Sequence, residues 1–179
     1  VLARVKVLSA PGESALGERG YAQLTLESPI TVVPGERFII RTYSPQATIA
    51  GGEIIDNAPA RHRLRNLDDV VQRLAAMAAA TEPADRLRML IESSGKRGLS
   101  MADLAARTGY KQAILTAAVA ELVGKKAAVA VGEQLISATE FAELQSATTA
   151  AIEAFHKRQS LARGMPREEL RNGVFRGVP

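Results

Sequence analysis

"RFIIRTYSPQATIAGGEIID", residues 37–56, carries two strand-like ends around a polar centre. Its outer thirds are β-branched and apolar, which favours extended backbone. The middle, "SPQATIAGG", holds a serine-proline turn signal and, close behind it, the pair Gly51 and Gly52. A hairpin is the simplest chain path through these residues. Immediately after it come Arg61, His62, Arg63 and Arg65, and beyond Asn66 the apolar period changes from two residues to three and four. The chain therefore divides into a strand half and a helical half.

Working outward, "ARVKVL" and "YAQLTL" alternate in the same way upstream, separated by "APGESALGERG", and "PITVVPGE" precedes the hairpin. Short strands at that spacing predict a sandwich or barrel over residues 1–58. Residues 59–81 read as a basic linker with a connecting helix. In residues 82–137, Leu87, Leu90 and Ile91 share a helix face, and "SGKRG" ends that helix. Ser100 then stands as an N-cap with Asp103 in the capping-box position. A further helix, Lys111 to Val123, sets Ile114, Ala118, Val119 and Leu122 on one side and stops at Gly124, a residue suited to the left-handed position past a helix end. "AAVAV", a Gly132-Glu133 turn and "QLIS" complete a hairpin, so the order predicts a winged helix-turn-helix. "RGLSMADL" (97–104) recurs as "RGMPREEL" (163–170), the second copy following a long helix with Phe141, Leu144, Thr148, Ile152 and Phe155 inward. Residues 138–179 are expected to begin a second winged unit.

Composition excludes several chemistries. There is no cysteine, and His62 and His156 lie far apart, so thiolate sites, disulfides and a metal centre are not expected. No apolar run is long enough to span a bilayer and "VLARVKVL" lacks the regions of a signal peptide, so a cytoplasmic protein is expected. The net charge of +4 permits polyanionic partners. "SSGKRG" fails as a phosphate loop, since Leu90 and Arg97 occupy the positions of its first glycine and its serine or threonine. Neither catalytic residues nor a cofactor are expected in these residues. The missing initial methionine and the ending "RNGVFRGVP" suggest a piece of a longer chain.

"LTLESPITVVPGERFIIR", with Pro29, Ile30, Gly35, Arg37, Phe38 and Arg41, and then "TIAGGEI" resemble the third domain of translational GTPases related to elongation factor Tu. The longer loop "TYSPQA", the winged helices that follow and "FHKRQSLARGMPREELR" narrow the resemblance to the selenocysteine-specific elongation factors. Ala50 and Ser160 stand where that family's pattern has glycine and proline. The resemblance implies a partial translation-factor β-barrel followed by tandem winged helix-turn-helix domains. It further implies a factor that delivers selenocysteyl-tRNA to the ribosome at UGA codons and reads an mRNA hairpin through terminal winged units. GTP and magnesium would belong to a GTPase domain absent from these residues.

By position in that resemblance, Ser28, Arg41, Tyr43, Ser44 and Gln46 are the tRNA-contact candidates. Their hydroxyl, amide and guanidinium groups bond phosphate and 2′-hydroxyl oxygens without reading bases. Gly51 and Gly52 read as strand-packing residues. Arg61, Arg63, Arg65, Lys111, Lys125 and Lys126 are weaker RNA-contact candidates. The lysines also suit the negative pole of a helix, and the arginines suit a salt-bridged linker. His156 reads as a packing residue, and Asp68-Asp69 and Glu168-Glu169 as carboxylates of helix starts. The competing class is a winged-helix DNA-binding regulator with a β sensor domain.

Overall fold

The computed structural model describes residues 1–9, 12–59 and 67–178. They gather into two compact units, Val1–Ala80 with Arg107–Gly109, and Thr81–Ala106 with Tyr110–Pro179.

In the first unit β1 (Ala3–Val7) runs antiparallel to β2 (Ala22–Leu26), with Val5 opposite Leu24. β3 (Arg37–Arg41) pairs antiparallel with β4 (Thr48–Glu53), with Phe38 opposite Gly52. Among the described residues each of these sheets has two strands, so the strands are barrel-like but do not close into a barrel. α1 (Leu67–Ala79) opens with Asp68 and Asp69 in its first turn, where backbone N–H groups favour negative charge. Its Val70 and Leu74 bury against Leu8, with Tyr21, Ile55 and Val71 packed around them. Removing such side chains from water contributes about 1.5–3 kcal/mol each. Within the same unit Arg107 Nη2 donates to Asp56 Oδ2 at 2.6 Å, and both side chains are largely buried.

The glycine pair has the packing role expected of it. A Cβ on Gly52 would lie 2.8 Å from Phe38 Cζ, and one on Gly51 would lie 3.2 Å from the Phe38 carbonyl oxygen. The ring lies over bare backbone that any other residue would obstruct.

The second unit begins with α2 (Pro83–Ser94), whose proline occupies a first-turn position where no N–H bond is lost. Ala84, Leu87, Leu90 and Ile91 form its buried face. A 3₁₀ turn, Gly95–Arg97, leads into β5 (Leu99–Ser100) and α3 (Met101–Thr108). The capping box is made in full. Ser100 N and Oγ donate to Asp103 Oδ2 at 2.9 and 2.6 Å, and Asp103 N donates to Ser100 Oγ at 3.1 Å. α4 (Gln112–Gly124) and the strands β6 (Ala128–Val131) and β7 (Gln134–Ser137) follow. β5 joins the expected hairpin to give a three-stranded antiparallel sheet of order β5-β7-β6. Ser137 Oγ then accepts from Glu140 N at 3.2 Å and starts α5 (Ala138–Arg158), which is followed by α6 (Arg167–Gly173).

Two local expectations are corrected. On α4 the buried positions are Leu115, Ala118 and Leu122, while Ile114 is 41% exposed. This helix is apolar almost all round, so spacing alone does not select its inner face. Nor is Gly124 the left-handed residue. Lys126, at φ 57°, takes that conformation, with Lys126 N bonded to Val123 O and Ala127 N to Leu122 O. These two bonds are the Schellman pair, which places Gly124 in the last helical position.

Candidate nucleic-acid interface

Alternation along β3 turns Phe38 and Ile40 inward and leaves Arg37, Ile39 and Arg41 exposed. The register shifts between Ile40 and Arg41, a bulge next to the hairpin tip. Thr42, absent from the sequence-derived set, closes that tip. Its N–H donates to Ala47 O at 2.9 Å, its Oγ1 accepts from Ala47 N at 2.9 Å, and the hydroxyl donates to Pro45 O. The Ser44-Pro45 peptide is cis. With the backbone bonds taken up by Thr42, the side chains of Tyr43, Ser44 and Gln46 are exposed, Tyr43 at 83%. A threonine directly before "YSPQ" was the available signal, since a hydroxyl near a turn bonds local backbone.

Arg41, Tyr43, Ser44 and Gln46 thus stand together on one hairpin as a guanidinium, a phenol, a hydroxyl and an amide, all open to solvent. Such a set offers donors to phosphate and ribose oxygens and no shaped pocket for a base. Ser28 is also exposed, but it follows β2, in the other sheet.

In the second unit Lys111, Lys125 and Lys126 are exposed around the ends of α4. Lys125 Nζ is engaged, donating to Glu121 Oε1 at 2.6 Å. The Glu121 carboxylate, through this bond and its charge, holds the Lys125 ammonium above the usual lysine value. The outward polar groups of α4 are Gln112, Thr116 and Glu121, without an arginine among them. That surface is poorly equipped to read the guanines of an operator. Arg61, Arg63 and Arg65 lie outside the described residues. His156 is half-buried with its ring edge-on to Phe155 at a centroid distance of 5.8 Å. Glu169, in the first turn of α6, also pairs with Arg158 at 3.5 Å.

The residues around "SSGKRG" do not fit a nucleotide phosphate. The segment ends a helix instead of following a strand, and the Ser93 and Ser94 hydroxyls donate to Leu90 O and Ile91 O at 2.8 and 2.6 Å. Among the described residues no group of His, Asp or Glu is placed to hold a metal, and no helix is long and apolar enough to cross a membrane.

The chain thus carries a barrel-like strand unit bearing an exposed polar hairpin and a helical unit with a three-stranded antiparallel sheet. Comparison with known proteins makes this specific. Residues 1–61 match the family described as selenocysteine-specific elongation factor, beta-barrel domain, and residues 149–179 match elongation factor SelB, winged helix. The selenocysteine-specific elongation factor of Desulfomicrobium baculatum is 28% identical over 165 residues, 90% of this chain and 26% of that protein. Its counterpart in Escherichia coli (strain K12) is 25% identical over 160 residues, 89% of this chain and 25% of that protein. The chain belongs to the selenocysteine-specific elongation factor family, and it spans about a quarter of the length of the curated relatives it matches.

Proposed function

We propose that this chain is a non-catalytic part of a selenocysteine-specific elongation factor, working in the cytoplasm, that brings selenocysteyl-tRNA to the ribosome at UGA codons. The strand unit helps hold the tRNA through Arg41, Tyr43, Ser44 and Gln46, with Ser28 as a second contact. Residues 82–137 form a winged joint and residues 138–179 open a second winged unit, leading to an arm that binds the mRNA hairpin. GTP and magnesium act in a GTPase domain elsewhere in the full-length factor.

The observation that carries this reading is the hairpin tip. Thr42 takes up its backbone bonds, so four polar side chains are presented outward on a short, internally bonded loop. Preorganised donors lose less freedom on contact with RNA than groups on an open loop. In the full-length factor, Arg41→Ala/Gln46→Ala is expected to weaken selenocysteyl-tRNA binding about tenfold, on the scale of one or two charge-assisted hydrogen bonds. Affinity for the mRNA hairpin should not change. Unchanged tRNA binding with a weakened hairpin complex would reject the assignment.

A further inference from the structure

The positive charge of this chain is not spread evenly. Residues 157–176 contain six of its 23 lysines and arginines, namely Lys157, Arg158, Arg163, Arg167, Arg171 and Arg176. The same stretch contains two of its 19 acidic residues, Glu168 and Glu169. Seventeen charges of each sign remain elsewhere, so this stretch accounts for the whole net charge of +4. In the fold it runs through the end of α5, a turn, α6 and the turn after it, with α6 packed on α5.

All six basic side chains are exposed. Of them only Arg158 has an ion-pair partner among the described residues, Glu169 at 3.5 Å. That pair ties α6 to the end of α5, and Glu168 is the one other acidic residue of the stretch beside five cations that have no ion-pair partner among the described residues. Arg167 and Arg171, four residues apart, lie one turn apart on the same side of α6, with Cβ atoms about 5–6 Å from each other. Elsewhere some arginines are neutralised by carboxylates, as with Arg88 between Asp85 and Glu92 and Arg107 on Asp56.

We infer that the surface formed by the end of α5 and by α6 binds the sugar-phosphate backbone of RNA, independently of sequence and separately from the β3–β4 hairpin. Five of the six cations are arginines, whose planar guanidinium matches two phosphate oxygens at once. A protein partner would need an apolar centre, and here Leu161 is the single large apolar side chain left fully in solvent. The choice of RNA among polyanions rests on the translation-factor reading above. The charge asymmetry does not.

The test uses the full 179-residue chain and a fluorescein-labelled RNA duplex of arbitrary sequence, with binding measured by anisotropy across a salt series. Arg167→Gln/Arg171→Gln should lower affinity at low salt about tenfold or more and reduce the slope of log K against log salt by roughly two, about one for each phosphate no longer neutralised. Lys96→Gln/Arg97→Gln removes the same charge from the exposed 3₁₀ turn and should leave the slope nearly unchanged. Equal losses of affinity from the two variants would overturn the inference, because binding would then follow total charge. Polyglutamate competing as well as RNA of equal charge would also overturn it, in favour of an acidic protein. Should the first variant fold poorly, Arg163→Gln/Arg176→Gln, placed in the turns, carries the same expectation. The Arg41 and Gln46 variants leave this surface intact, so failure of the tRNA reading and failure of this one are separable.

Discussion

Residues 97–104 and 163–170 begin alike, with arginine and glycine, and each has an acidic residue followed by a leucine at its end. Their surroundings differ. Leu104 is fully buried, whereas Leu170 is only half-buried. A Cβ on Gly98, which sits at φ 65° and ψ −171°, would lie 2.7 Å from the Leu135 carbonyl oxygen of β7. A Cβ on Gly164 would meet nothing within 4 Å. Ser100 caps α3 through its side chain, while the matching residue before α6 is Pro166, which makes no side-chain cap. The shared pattern starts a helix in both places. In the first copy the close approach of β7 at Gly98 and the burial of Leu104 make that local pattern part of a core.

The strongest way to test this contrast is to truncate the two leucines. Leu104→Ala should cost about 2–5 kcal/mol, the range for truncating a buried leucine, and Leu170→Ala about 1 kcal/mol, since that side chain is only partly removed from water. Urea unfolding followed by far-ultraviolet circular dichroism reads both, and equal costs would remove the distinction between the copies. The glycines give the next effect. Gly98→Ala must both adopt a backbone region almost confined to glycine and push against β7, so about 2 kcal/mol or more is expected. Gly164→Ala should be close to neutral in the same measurement. The caps should give the smallest difference. Ser100→Ala is expected to cost about 1 kcal/mol and Pro166→Ala to stay within about 0.5 kcal/mol. A Pro166 cost as large as that of Ser100 would mean that α6 depends on its start as strongly as α3 does.

The interface is a similar mixture of local and non-local information. Arg41, Tyr43, Ser44 and Gln46 were singled out by their position in the family resemblance, and a turn between two strands presents such side chains near one another. Thr42 was not singled out, because its importance lies in three bonds that exist only once the hairpin has closed. The basic surface at α6 was also missed. Its cations are interleaved with the repeat and with carboxylates that look like ordinary helix-start residues. It becomes visible only when Glu169 is found on Arg158 and the remaining arginines are found without ion-pair partners among the described residues.

The sequence by itself determined what depends on neighbours along the chain. The period-two and period-three-to-four patterns separated strands from helices, Ser100 and Asp103 specified a capping box, and the pair Gly51 and Gly52 specified a close strand approach. Each of these rests on a few bonds or contacts within a helix turn or a hairpin. Tertiary structure decided the rest. α4 is apolar nearly all round, and α2 and β6, which pack on it, selected Leu115 over Ile114 as the buried side chain. Lys126 took the left-handed position because α4 stays hydrogen-bonded through Gly124, and β6 must begin within a few residues of it. β5 is a two-residue strand, too short for any periodicity, and exists because β7 supplies its partner. Such choices depend on which surfaces meet in space, and no window of adjacent residues contains that information.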